Sequence, residues 1–281
     1  MALTITTICE NSAGGLNVLG EWGLSMLLEC DGLQILLDTG QGKTLVHNAQ
    51  AMGVDLASLD KIVLSHGHYD HTGGLLSLLE RRRKEIEVIA HPQIWEAKYG
   101  KRPSIERIEY VGIPFQRQAL ESQGARFQLS AAPVWLSENI VVTGEIPFTN
   151  DYEKIDADLF VRDGNEWLPD LVPDDQAIVV KTEFGLVVLL GCGHRGVVNT
   201  LHYAQKLTGV DNIYAVVGGT HLLRTPAETL DVIVEAVKGF GLVRLGVSHC
   251  TGLSVAAYLS RELGDIMYFN QAGTRTSLPL T

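Results

Sequence analysis

The sequence predicts a layered α/β fold, and three observations carry that prediction. Apolar runs of strand length recur along the chain, several of them paired around tight turns. Amphipathic helical stripes are interspersed with these runs rather than segregated from them. Four apolar runs end at a junction that carries histidine and leads toward a helix. The 281 residues are 46% apolar, enough to bury a substantial core. No strong linker divides the chain, so it reads as one domain over 1–281, with irregular insertions near 101–139 and 148–176.

The elements follow in order. LTITTICE alternates and reads as a strand. GLSMLLEC and LQILLDTG flank Asp31-Gly32 and read as a hairpin. LDKIVLSHGH is a strand ending at Ser65, and Thr72-Gly73-Gly74 then opens a helix with Leu75, Leu78 and Leu79 on one face. IEVIAHP is a strand, the section from about Lys101 to Asn139 is irregular and suited to covering a site, and IVVTGEIP is a further strand. The chain from Phe148 to Gln176 is polar and rich in Asp, and reads as a long excursion. AIVVKT and LVVLLG make a second hairpin, followed by a helix with Val197, Leu201 and Ala204 in register. IYAVVGG is a strand. Thr225-Pro226-Ala227-Glu228 has the form of a capping box ahead of the stripe Leu230, Ile233, Val234 and Val237. LVRLGVS is a strand, and LSVAAYLSREL is a helix closed by Gly264.

The net charge of −11 argues against nucleic acid as a partner. The one basic run, Arg81-Arg82-Arg83-Lys84, reads as a solvated helix end. The four cysteines, Cys9, Cys30, Cys192 and Cys250, are scattered, which fits a reduced cytoplasmic protein. MALTITTICEN lacks the pattern of a signal peptide, and no apolar run reaches the ~18–20 residues of a membrane span. The expected partner is a small molecule.

The strongest chemical signal is SHGHYDHTGG, Ser65 to Gly74, which packs His66, His68, Asp70 and His71 into six residues at a strand exit. Imidazole and carboxylate are ligands for zinc, iron or manganese. Residues two apart in an extended segment face the same side, so His66 and His68 can reach one ion, with Asp70 and His71 turned toward a neighbour. Three other strand ends add Cys192 and His194, His221, and His249 with Cys250. If these strands share a direction, their ends converge on one rim, where open α/β sheets bind ligands. His91, before Pro92, is placed to line a pocket mouth, whereas His47 and His202 read as surface residues.

Two glycine patterns compete with this reading. Gly191, Gly193 and Gly196 spell G-x-G-x-x-G, with Asp211 beyond, in the manner of a dinucleotide-binding turn. Cys192 and His194 occupy its spacers, however, so the glycines are read as serving a tight strand exit and close helix packing. GQGKT (40–44) lacks the glycine a P-loop needs at position 37, which is leucine. Asp38 and Thr39 are read instead as orienting metal ligands from behind.

His66-x-His68-x-Asp70-His71 resembles the H-x-H-x-D-H signature of the metallo-β-lactamase superfamily. Within it, EWGLS (21–25), LLDTGQ (36–41), LSHGHYDHTGGL (64–75), AHP (90–92), TGEIP (143–147), GCGHRG (191–196), GGTHL (218–222) and SHCTG (248–252) resemble the dihydropterin ribofuranosylaminobenzene-phosphate synthase subfamily. The resemblance implies a four-layer αββα sandwich and one or two divalent transition metals, zinc first, with iron or manganese as alternatives. It implies metal-dependent hydrolysis, by a metal-activated water, of a small anionic phosphoester-like or other ester substrate. The alternative is a non-hydrolytic synthase or transferase on a pterin or phosphoribosyl substrate.

By motif order the usual third histidine is missing, and TGEIP offers Glu145 in its place. The implied metal ligands are therefore His66, His68, Asp70, His71, His249 and, as the replacement, His194. Cys192 is read either as a ligand or as a packed residue, and Glu145 as supporting a ligand rather than being one. Asp70 and His221 are the expected catalytic residues, His221 as proton donor, and Arg195 and His91 the expected substrate contacts.

Overall fold

The computed structural model describes residues 3–102 and 107–278. Its strands, in chain order, are β1 Leu3–Cys9, β2 Ser25–Cys30, β3 Leu33–Leu37, β4 Lys61–Val63, β5 Ile86–Ala90, β6 Lys98–Arg102, β7 Arg107–Tyr110, β8 Ala125–Leu129, β9 Val134–Trp135, β10 Ile140–Val142, β11 Leu159–Asp163, β12 Glu166–Pro169, β13 Ala177–Thr182, β14 Gly185–Leu190, β15 Ile213–Gly219, β16 Arg244–Ser248, β17 Met267–Phe269 and β18 Arg275–Leu278. The helices are α1 Leu45–Ala51, α2 Tyr69–Thr72, α3 Leu75–Arg82, α4 Arg117–Ser122, α5 Val197–Thr208, α6 Ala227–Gly239 and α7 Leu253–Leu263.

Two large sheets, ordered β18-β1-β2-β3-β4-β5-β8 and β17-β16-β15-β14-β13-β10-β9, pack face to face. Strand alternation shows how. Along β14, Val187 and Leu189 join Met26, Leu28, Ile35 and Leu37 between the sheets, while Leu186, Val188 and Leu190 turn outward onto α5, α6 and α7. On the opposite outer face, Leu36, Ile62 and Val88 meet Leu45 of α1, Leu75, Leu78 and Leu79 of α3, and Leu120 of α4. This is the αββα sandwich, with three apolar layers holding four structural ones together.

The segments read as irregular contain regular structure. β7, α4, β8 and β9 lie in the first, and β11 and β12 in the second. The short strands β12-β11-β6-β7 form a third sheet, built from both segments. Exposed residues along β7 and β12 give them no clean apolar period, which is why pattern alone misses them. IVVTGEIP also falls short of a full strand, since β10 ends at Val142. Thr225 makes no capping box. Pro226 is the N-cap of α6, with no side-chain hydrogen bond. Arg83 closes α3 in the left-handed conformation, and Arg82 is tied to the carbonyls of Leu56 and Ala57 rather than simply solvated. Among the described residues, no helix is long and apolar enough to cross a membrane.

Both glycine loops are filled from within the protein. Glu153 accepts the N–H groups of Val198 and Asn199, each at 2.8 Å, at the start of α5 after Gly196. Glu21 accepts those of Gln41, Lys43 and Thr44 in GQGKT at 3.1, 2.8 and 3.1 Å. A carboxylate thus sits where each motif would hold a phosphate. Glu153→Ala would leave the α5 N–H groups without their partner and is expected to cost about 1–2 kcal/mol. A fall of several degrees in melting temperature checks this, and an unchanged value would refute it.

Candidate metal centre

Four strand exits converge. The parallel strands β14, β15 and β16 release Cys192 and His194, His221, and His249 on one rim, and the opposite sheet brings β3 and β4 to the same place. After β4 the chain delivers His66 and His68, and the single turn α2 carries Asp70 and His71. The two sheets touch here. A Cβ at Gly191 would lie 2.1 Å from Ser65 Oγ and 2.7 Å from Asp38 Oδ2, so only glycine fits that strand end. Asp38, His221 and His249 all have positive φ (60°, 53° and 53°), a conformation that costs a non-glycine residue energy and collects at functional sites.

The imidazoles form a contiguous cluster. His66 Nε2 lies 2.9 Å from His68 Nδ1, and the His66 and His194 ring centres are 4.8 Å apart. His71 Nε2 lies 3.2 Å from His249 Nε2, which is 3.3 Å from Asp70 Oδ2. The edge of a ligand tetrahedron with ~2.0 Å bonds is roughly 3.3 Å, so these spacings suit a shared ion. Buried His68 Nε2 and both ring nitrogens of His194 have no hydrogen-bond partner. Buried polar atoms are nearly always paired, so a His194 ring with neither nitrogen paired, set against His66 and His68, fits a metal.

Charge supports the same fit. Burial and the neighbouring imidazoles push His66 and His194 well below the usual histidine range, and burial brings His68 to about 3. All three are therefore neutral, as ligands must be. Burial opposes ionisation of Asp70, but His249 and His71 outweigh it and hold the carboxyl well below its ordinary value. Burial likewise opposes charge on His71, yet the Asp38 carboxylate lifts it to about 9, so His71 is the donor that must give up a proton before it can hold an ion.

Several ligands are braced from behind. Asp38 Oδ2 meets His71 Nδ1 at 2.6 Å and accepts from Ser65 Oγ at 2.7 Å, and its Oδ1 accepts the Ser65 N–H at 2.7 Å. Ser65 Oγ is 2.9 Å from His66 Nδ1. Asn11 Oδ1 is 2.9 Å from His249 Nδ1, and Glu10 accepts the His249 backbone N–H. Buried Lys98 pairs with Asp170 and Asp174, and Asp174 accepts the N–H of Gly67 between the first two histidines. Asp38 was legible in LLDTGQ, whereas Ser65 was read only as a strand end. Glu10, Asn11, Lys98, Asp170 and Asp174 were not legible, because nothing local marks them.

Four of the expected site residues have other partners in this structure. Arg195 is not a substrate contact, since it donates to the carbonyls of Ile146 and Leu171 and to Glu145, with its guanidinium over Phe148. Glu145 is exposed and pairs with Arg195 at 3.3 Å rather than supporting a ligand. His91 is buried, and its Nδ1 accepts the Gln93 N–H at the start of a short 3-10 turn rather than lining the pocket. Both ring nitrogens of His221 are engaged, Nδ1 with Cys192 Sγ at 3.3 Å and Nε2 with Asp156 Oδ2 at 3.1 Å, which leaves no N–H free to donate to a substrate.

A cavity opens above the cluster. His68, Asp70, Cys192, His194, His221 and His249 form its floor. The third sheet and its flanks supply Gly100, Lys101, Glu109, Val111 and Leu159, and Trp22, Leu223 and Arg224 complete the wall.

This fold and donor cluster define a metallo-β-lactamase-type centre. The superfamily model matches residues 23–205, and the chain belongs to the metallo-beta-lactamase superfamily. It is 31% identical over 275 residues to the 7,8-dihydropterin-6-methyl-4-(beta-D-ribofuranosyl)-aminobenzene-5'-phosphate synthase of Methanocaldococcus jannaschii, covering 94% of this chain and 92% of that protein. It is also similar to the crystal structure of Tm1679, described as a metal-dependent hydrolase of the beta-lactamase superfamily, with a TM-score of 0.84, 28% identity and 98% of each chain covered. Zn(2+)-bound PqqB from Methylobacterium extorquens shares the fold, with a TM-score of 0.58 at 13% identity, over 98% of this chain and 99% of its own.

The curated relative overturns the hydrolysis expected from the sequence, because it is a synthase. The physical reason is plain. A metal that polarises an oxygen serves attack by water or by another nucleophile equally well. The ligand motif identifies the metal centre and says nothing of the nucleophile.

Proposed function

We propose that this chain is a metal-dependent, non-hydrolytic synthase or transferase acting on a pterin or phosphoribosyl substrate. The observation that carries the reading is similarity to the curated synthase over 94% of the chain. The description of Tm1679 names a broad class without a substrate, whereas the synthase name specifies a product.

The donors that would hold the metal are His66, His68 and His194 on one side and Asp70, His71 and His249 on the other, with Cys192 within reach of both. One or two divalent ions, zinc first and iron or manganese as alternatives, would supply Lewis-acid polarisation of a substrate oxygen. The remaining work falls to the chain. Trp22, 46% exposed and edge-on to His249 at 5.0 Å between ring centres, offers a face for a flat heterocycle. Lys101 on the wall offers a cation to a phosphate, and Arg224 nearby is paired with Asp158 at 3.1 Å. Val111, Leu159 and Leu223 line the space between with apolar surface, which limits water at the reacting atoms.

The test is to incubate metal-loaded protein with a 7,8-dihydropterin activated at its 6-methyl carbon and a (β-D-ribofuranosyl)aminobenzene 5'-phosphate. Mass spectrometry should find the joined product, lost on chelation and regained with zinc. Metal-loaded protein that binds neither substrate and joins nothing refutes the proposal, as does full activity after complete metal removal.

A further inference from the structure

Three of the candidate donors have a ring nitrogen held from behind: His66 by Ser65, His71 by Asp38 and His249 by Asn11. His68 and His194 do not. Nδ1 of His68 meets His66, its Nε2 is unpaired, and among the described residues neither nitrogen of His194 has a hydrogen-bond partner. A metal-binding histidine ordinarily has its far nitrogen fixed by an outer acceptor. Whatever aims these two rings must therefore act on the backbone that carries them. The chain between β12 and β13 does so. Asp174 Oδ2 accepts the N–H of Gly67, which lies between His66 and His68, at 2.8 Å. The next residue, Asp175, accepts through Oδ2 the N–H of Arg195, which follows His194, also at 2.8 Å. Gln176 then donates its N–H to the Ser65 carbonyl and its side-chain amide to the Leu64 carbonyl, each at 2.9 Å.

The gripping segment is itself fixed. Lys98 Nζ donates to Asp174 Oδ1 at 2.8 Å and to Asp170 Oδ2 at 3.0 Å, and the Arg195 guanidinium donates to the Leu171 carbonyl at 3.1 Å. Asp174, Asp175 and Gln176 are all buried. Val172, buried and β-branched, has a φ of 43°, a costly conformation that persists only where its surroundings impose it. We propose that Asp174 and Asp175 are positioning residues that set the spacing of His66, His68 and His194 before an ion arrives. Because adjacent residues hold the two loops, neither loop can shift against the other without breaking a buried hydrogen bond. This positioning rests on the metal-dependent part of the proposed function and on no choice of substrate.

Zinc affinity of the chelated protein, measured by competition with a chromophoric chelator, tests the pair. Asp175→Leu is close in shape but has no acceptor, and affinity should fall roughly 10–100-fold. Asp175→Asn keeps an acceptor oxygen for the Arg195 N–H and should recover most of that loss. Glu153→Ala, which unties the start of α5 further along the same loop, should lower the melting temperature without a matching loss of affinity. That contrast separates positioning from stability. A second measurement needs no variant. In the metal-free wild type, the amide protons of Gly67 and Arg195 should already exchange slowly with solvent. Four results overturn the proposal and leave the metal centre standing: wild-type affinity in Asp175→Leu, a loss as large in Asp175→Asn, an equal loss in Glu153→Ala, or fast exchange of the two amides without metal. A wild type that binds no zinc overturns both this proposal and the metal-dependent reading of the function.

Discussion

His194→Ala is expected to release metal from the protein while leaving its fold standing. Both ring nitrogens of His194 are buried and neither has a hydrogen-bond partner, so removing the ring strands no polar group. Its neighbours are the rings of His66, His68 and His221, at 4.8, 5.0 and 3.9 Å between centres. The imidazole thus contributes little to folding in the absence of metal and much to holding an ion. Loss of a direct donor should lower metal affinity by more than the ~10–100-fold typical of losing an outer partner. Activity should fall with it. His202→Ala, on the exposed face of α5 against Phe240, should change neither. Element analysis of both variants, with circular dichroism as the control for folding, decides the matter. Equal metal content in wild type and His194→Ala would reject the assignment.

Asp38→Asn is expected to weaken metal binding about 10–100-fold through its effect on His71. The substitution keeps shape and removes charge. Asn tolerates positive φ, so the backbone at φ 60° is not the source of the effect. The hydrogen bonds are. Asp38 accepts a backbone N–H at Oδ1 and faces an imidazole nitrogen and a hydroxyl at Oδ2. An amide has one acceptor oxygen. If its NH2 takes the Oδ1 place it meets the Ser65 N–H, and at the other it meets the ring N–H of His71. Either arrangement leaves a buried donor facing a donor, at about 1–3 kcal/mol. The check is isothermal titration with zinc alongside thermal melting of the metal-free protein. Unchanged zinc affinity would refute the role of Asp38.

Most of the candidate donors were legible because they mark themselves. His66, His68, Asp70 and His71 are contiguous, and Cys192, His194, His221, His249 and Cys250 each follow an apolar run at a strand exit. A layered α/β fold was legible for a similar reason, since strands such as β14 carry apolar residues on both faces, whereas the αββα order came with the family resemblance. The braces were not legible. Asn11 is 238 positions from His249, Asp156 is 65 from His221, and Asp174 is 76 from Lys98. Such partners meet only through tertiary packing, and an isolated Asn or Asp in a polar stretch looks like solvated loop. Arg195, Glu145 and His91 differ from the expectation for the converse reason. Each stands beside a motif in sequence, yet the backbone turns its side chain into a separate set of hydrogen bonds.

The third sheet divides labour within the molecule. Its strands contribute residues to the cavity wall, Gly100, Lys101, Glu109 and Leu159 among them, and supply no member of any donor group. It is fastened near the metal loop through Lys98 and the Asp174 contact with Gly67. Outside that anchor its exposed strands carry little of the core. Preference for one substrate over another can therefore drift by changes in β6, β7 and β11 at the wall while the donor cluster stays as it is. A chain built this way can acquire a new substrate without first losing its old chemistry, because the part that selects and the part that reacts are encoded by different stretches of sequence.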